Sequence, residues 1–190
     1  MIQSPDTLNE LFEVLGLETA GGEMLADVAS PKYLRDLKLN LKATLKSDHL
    51  SEKECMLLGI ALSVNAGKPL LVQSLRVKAL QAGASEEEVS EVVSCASLMA
   101  ANNVFYRFRH FMQDEKYNNL PARFRMNIMM APINGKEFFE LISLAISVVN
   151  GCEMCVRSHE ASLRQLGTAQ ERIFDAIRLA SVMESAAKLL

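Results

Sequence analysis

The sequence predicts an all-α protein, and three observations carry that prediction. Leu, Ala, Met, Glu and Lys are plentiful, while the chain has only 9 Gly and 5 Pro, a mixture that favours helix over strand. Helix-start signals recur: Ser51-x-x-Glu54, Ser85-x-x-Glu88 and Thr168-x-x-Glu171 each have the capping-box pattern, in which a hydroxyl accepts from an orphan amide and a carboxylate reaches back. Apolar residues then follow at helical spacing. Val89, Val92, Val93 and Ala96 form one stripe, and Ile173, Ala176, Ile177 and Ala180 form another.

The elements follow in order. A short helix is expected over 5–15, and Glu18–Ser30 reads as a loop or short linker. Ser30 before Pro31 is a fitting N-cap with proline in the first turn, opening a helix over 31–46. The first capping box opens 51–66, which Gly67 ends. Pro69 opens 69–82, ended by Gly83, and the second box opens 85–113. Pro121 in a first turn predicts a helix over 121–130. Helices over 136–150 and 152–166 end at Gly151 and Gly167, and the third box opens 169–189.

The punctuation also repeats. A shift of about 84 residues, without a gap, lays Leu57, Ala61, Ser63, Val64 and Gly67 on Leu141, Ala145, Ser147, Val148 and Gly151. Farther on, Ser74, Gln81, Gly83, Glu87, Ala96, Ser97 and Met99 fall on Ser158, Gln165, Gly167, Glu171, Ala180, Ser181 and Met183. We read an internal duplication of a helix–helix–long helix unit, over about 51–106 and 135–190.

Composition excludes several function classes. The net charge of −3 offers neither a basic nucleic-acid surface nor an acidic tail. The N-terminus has no basic stretch followed by an apolar run, and no apolar run of about 18 residues occurs, so neither a signal peptide nor a membrane span is expected. A cytoplasmic location follows, where most thiols stay reduced. Of four cysteines, Cys55 and Cys95 stand alone in apolar helical stretches and read as small buried hydrophobes.

Cys152 and Cys155 form a Cys-x-x-Cys, which alone fits a redox pair, half a zinc site or coincidence. Gly151 ends the preceding helix, so Cys152 should start the next, where free amides and the helix dipole favour a thiolate. Cys155 follows one turn on, and His159 four residues later, on one helix face. An imidazole there can take a thiol proton near neutral pH. Glu140, twelve residues before Cys152 on the preceding helix, could orient His159 if the two helices pack antiparallel. A thiolate attacks a peroxide or disulfide, and a second cysteine resolves the sulfenic acid or mixed disulfide that results. The duplication supplies a control: the counterparts of Glu140, Cys152, Cys155 and His159 are Met56, Lys68, Leu71 and Leu75. As an alternative, zinc would take Cys152, Cys155 and His159 with Glu140 or His110 as a fourth ligand, a cramped first shell for one short helix face.

At these residues the chain resembles the AhpD alkylhydroperoxidases, within the carboxymuconolactone decarboxylase group. The family pattern is a glutamate, an eleven-residue gap, then Cys-x-x-Cys-x-x-x-His, matched by Glu140, Cys152, Cys155 and His159. The segments Leu37–Leu41, Asn102–Arg107 and Leu120–Ile128 are also similar. The resemblance covers about 31–190, a single helical domain carrying the two repeats, and leaves 1–30 as an N-terminal extension. It implies thiol-dependent peroxide or disulfide reduction without flavin, haem, metal or other cofactor. By the same resemblance the partners are a hydroperoxide substrate, a lipoyl-bearing protein and a peroxiredoxin, and the assembly is a trimer or hexamer. Cys155 corresponds to the thiolate that meets the peroxide, with help from His159 and Glu140. Cys152 corresponds to the partner that resolves it and exchanges with outside disulfides. One position departs: the family histidine before the second cysteine is Met154 here, and methionine cannot carry a proton. That departure motivates an alternative function, a redox adaptor or sensor whose disulfide state controls partner binding with little turnover.

Overall fold

The computed structural model describes residues 5–17 and 29–190. It is all-α, and the described residues hold no strand. The elements are α1 (Pro5–Leu15), α2 (Pro31–Thr44), α3 (Glu52–Asn65), α4 (Pro69–Gln81), α5 (Glu86–Met112), α6 (Glu115–Asn119), a 3-10 turn (Asn127–Met129), α7 (Lys136–Val149), α8 (Glu153–Gln165) and α9 (Gln170–Leu189). Of the expected Glu18–Ser30 linker, Glu18–Val28 lies outside the described residues.

Two helices are buried all round and form the centre. In α3 every residue from Cys55 to Ser63 is buried, and in α7 every residue from Phe138 to Ser147. A helix apolar on all sides belongs inside a protein, and here the others wrap these two. Helix α3 packs on α4, α5 and α9, while α7 packs on α8, α5 and α9. Helix α1 lies on α2 and α4, and its Leu11 and Leu15 join the same hydrophobic core. The helix starts at Glu52, Pro69 and Glu86 recur at Lys136, Glu153 and Gln170, the same 84-residue interval read from the side chains.

The capping boxes at Ser51 and Ser85 are both formed, each with reciprocal bonds to Glu54 and Glu88. The third is not. Ala169 is the N-cap of α9, and Thr168 instead donates its hydroxyl to Glu137 Oε1 at 3.0 Å. Ser30 occupies the N-cap of α2 without a side-chain capping bond.

The helix expected over 121–130 is absent. Leu120 ends α6 in an extended conformation (φ −71°, ψ 130°), the region to which proline confines its predecessor. Arg123 then takes a left-handed φ of 55°, which interrupts any right-handed helix. Only the 3-10 turn at Asn127–Met129 remains. The short α6 lies earlier than expected, started by Asp114, whose Oδ1 accepts from Lys116 N at 2.8 Å. This irregular stretch matters because it reaches the site.

Candidate active site

The turn between α7 and α8 fixes the cysteines. Gly151 has a φ of +66°, a left-handed conformation that glycine adopts without steric cost. It reverses the chain so tightly that Cys152 N bonds back to Ser147 O at 3.0 Å. Cys152 is thereby the N-cap of α8, at the end of the helix where unpaired amides and the macrodipole favour negative charge. A polar network holds the turn. Asn150 exchanges two bonds of 3.0 Å with Asn65 and donates to Asn103 Oδ1 at 2.9 Å. Asn103 donates to Ser147 Oγ at 2.9 Å, and Arg107 donates to the Asn150 carbonyl.

Cys152 and Cys155 are joined as a disulfide, with Cα atoms 5.3 Å apart. Cys152 is fully buried (0% exposed) and Cys155 is 7% exposed. One turn beyond Cys155, His159 Nδ1 lies 2.7 Å from Glu140 Oε2. Glu140 comes from the centre of α7 and is only 8% exposed, so its carboxylate is directed inward rather than solvated. A carboxylate only accepts hydrogen bonds. A neutral His159 ring that donates to it carries its proton on Nδ1 and presents the Nε2 lone pair.

Cys155 and His159 face a common cavity of about 300 Å³. Met154 and Ser158 of α8 line it too, with Asn102 and Tyr106 from α5 and Met126 and Met129 from the irregular 121–130 stretch. Hence the four residues expected from the sequence lie together: Cys152, Cys155 and His159 stand on α8, Glu140 reaches His159 from the adjacent α7, and Cys155 and His159 share one opening. The sequence pattern does not mark the wall residues beyond α8 as part of the site. Asn102 and Tyr106 carried a weak signal in their i, i+4 spacing on one helix face. Met126 falls in the family-like Leu120–Ile128 segment, but neither it nor Met129 has a spacing that points to the site, since their positions depend on a non-helical stretch.

The remaining groups fall outside the site. His110 Nε2 lies 3.4 Å from Glu153 Oε2. Cys55 and Cys95 are buried; burial pushes their thiols up to about 11 and about 12 respectively. At neutral pH both stay protonated and poorly nucleophilic.

The Carboxymuconolactone decarboxylase family model matches residues 115–190. The chain is 39% identical over 162 residues to "Alkyl hydroperoxide reductase AhpD" of Anaeromyxobacter dehalogenans strain 2CP-C, covering 85% of this chain and 87% of that protein. It is 40% identical over 157 residues to the protein of the same name from Streptomyces coelicolor, covering 83% and 88%. Against that of Maricaulis maris it is 35% identical over 160 residues, covering 84% and 92%.

Proposed function

The chain belongs to the AhpD family of alkyl hydroperoxide reductases, and from that membership we propose that it is a thiol-dependent peroxidase working through Cys152, Cys155, His159 and Glu140. The observation that carries the reading is the 2.7 Å His159–Glu140 contact beside a cavity that Cys155 also lines.

The cycle begins from the reduced pair. His159 Nε2, its tautomer held by Glu140, takes the Cys155 proton. The thiolate attacks the distal oxygen of a hydroperoxide, the O–O bond breaks, and the departing alkoxide takes a proton from the imidazolium to leave as alcohol. Cys155 is now a sulfenic acid. Cys152, favoured as thiolate at the α8 N-terminus, displaces its hydroxyl as water and closes the disulfide. An external dithiol reduces the disulfide and is itself oxidised, so that one hydroperoxide yields one alcohol and one water.

Met154 forms part of the cavity wall and moves no proton, so in this reading the relay is His159 and Glu140 alone. A lipoyl-bearing protein as dithiol, a peroxiredoxin as onward partner, a trimeric or hexameric assembly and a cytoplasmic setting complete the proposal. No helix among the described residues is long and apolar enough to cross a membrane. Residues 31–190 are taken as the catalytic domain, with 1–30 an extension whose α1 buttresses α2 and α4.

Replacing Cys155 by serine tests the core of the reading. Dithiol-supported consumption of cumene hydroperoxide should vanish in C155S; retained turnover would reject the assigned role. Met154 also favours the redox-adaptor reading, and the wild-type assay separates the two: many turnovers per subunit exclude a pure switch, whereas a single burst equal to the protein concentration supports one.

A further inference from the structure

Asn102 lines the cavity and carries a buried side-chain acceptor whose hydrogen bonding is incomplete. It is 6% exposed, and its Nδ2 donates to Met126 Sδ at 3.3 Å. Its Oδ1 is buried with no hydrogen-bond partner in the protein. Turning the amide over does not cure this, because a thioether has no proton to give. A buried acceptor left unpaired costs about 1–3 kcal/mol, so such an atom marks a place where a donor belongs. Beyond Asn102, Cys155 and His159, the wall is mostly apolar bulk: Met126, Met129 and Met154 are thioethers and Tyr106 a ring, with Ser158 adding one hydroxyl.

We infer that Asn102 is a substrate-binding residue whose Oδ1 accepts the O–H of an apolar hydroperoxide, while the methionines and Tyr106 enclose its organic group. This rests on the peroxidase reading above. A hydroperoxide carries one donor, on the distal oxygen, and that is the atom the Cys155 thiolate attacks. Holding the O–H directs this oxygen rather than the proximal one toward the sulfur. The proton stays on the oxygen when the O–O bond breaks, so Asn102 keeps the same hydrogen bond to the new sulfenic acid until Cys152 displaces it.

The test uses the fully reduced full-length protein and two oxidants. Cumene hydroperoxide has the O–H; 4,4′-dithiodipyridine is apolar, oxidises the same thiols by exchange, and has no hydrogen-bond donor. Rates of thiol loss are measured for wild type, Asn102→Leu and Asn102→Ala. Both variants should oxidise about 5- to 10-fold more slowly with the hydroperoxide, the loss of one hydrogen bond, and within twofold of wild type with the disulfide. Equal slowing with both oxidants would make Asn102 a packing residue and overturn the inference, as would unchanged rates with both. If wild-type protein reacts with the disulfide but not with the hydroperoxide, the peroxidase reading itself fails and the inference falls with it.

Discussion

Glu140→Gln isolates what the carboxylate does for His159. Gln has nearly the same volume, so the buried position in α7 stays filled, and the 2.7 Å contact to Nδ1 is geometrically available to the amide. Two things are lost. A hydrogen bond to a charged group is worth about 1.5–3 kcal/mol, and the amide can donate to Nδ1, which puts the ring proton on Nε2 and removes the base. At 1.36 kcal/mol per tenfold, loss of the charge-assisted bond from the transition state alone predicts a fall of about 10- to 150-fold in kcat/KM. The assay is steady-state reduction of cumene hydroperoxide with excess dithiol, alongside a thermal melt to show that the fold persists. His159→Gln should cost at least as much, and the double variant little more than His159→Gln alone, because the two residues act as one unit. A Glu140→Gln enzyme within twofold of wild type, equally stable, would refute the relay.

Two further predictions concern the frame. Buried Glu91 on α5 accepts from Ile133 N at 2.6 Å, Asn134 N at 2.7 Å and Asn134 Nδ2 at 2.8 Å, tying down the chain just after the cavity-lining Met129. Glu91→Ala should destabilise the protein by about 1–3 kcal/mol and speed hydrogen exchange at the Ile133 and Asn134 amides; unchanged exchange there would refute the clamp. The Ser47 hydroxyl donates to Asp175 at 2.7 Å and, against the opposing pull of burial and with help from His49 and Arg178, holds its carboxyl below the ordinary range. The unfolded chain therefore binds the proton more readily, and the anion's contribution is present above the unfolded value of about 3.9 and lost as pH falls through the lower folded one. The urea midpoint of wild type should exceed that of Asp175→Asn at pH 7, with the gap closing on acidification through that window; a gap that stays constant down to pH 2 would contradict it.

The helical scaffold was legible because its signals are local. Proline, glycine and the two capping boxes that form place six of the expected helices to within two residues of the observed bounds, and α1 and α9 lie as close although the box expected for α9 does not form. Thr168 shows the limit of a local signal: its hydroxyl found Glu137 across the fold, a partner no capping rule foresees. The stretch after Asn119 departs from the expected helix because Pro121 suits either a first helical turn or an extended segment, and Arg123 in the left-handed region leaves no mark in composition. The site divides the same way. Cys152, Cys155 and His159 share one helix, so spacing alone set their relation, and Glu140 needed only an antiparallel neighbour. Asn102, Met126 and Met129 meet them through tertiary packing, and only the unpaired Asn102 oxygen makes that wall chemically conspicuous.

The central claim is that Cys152 and Cys155, served by the His159–Glu140 pair, carry the redox chemistry while Cys55 and Cys95 are packing. Reduced protein exposed to one equivalent of cumene hydroperoxide, then alkylated unfolded and mapped by mass spectrometry, tests it directly. The account predicts two thiols lost, joined as the Cys152–Cys155 disulfide, with Cys55 and Cys95 fully alkylated. Oxidation falling first on Cys55 or Cys95, or four thiols surviving while the peroxide is consumed, would contradict it.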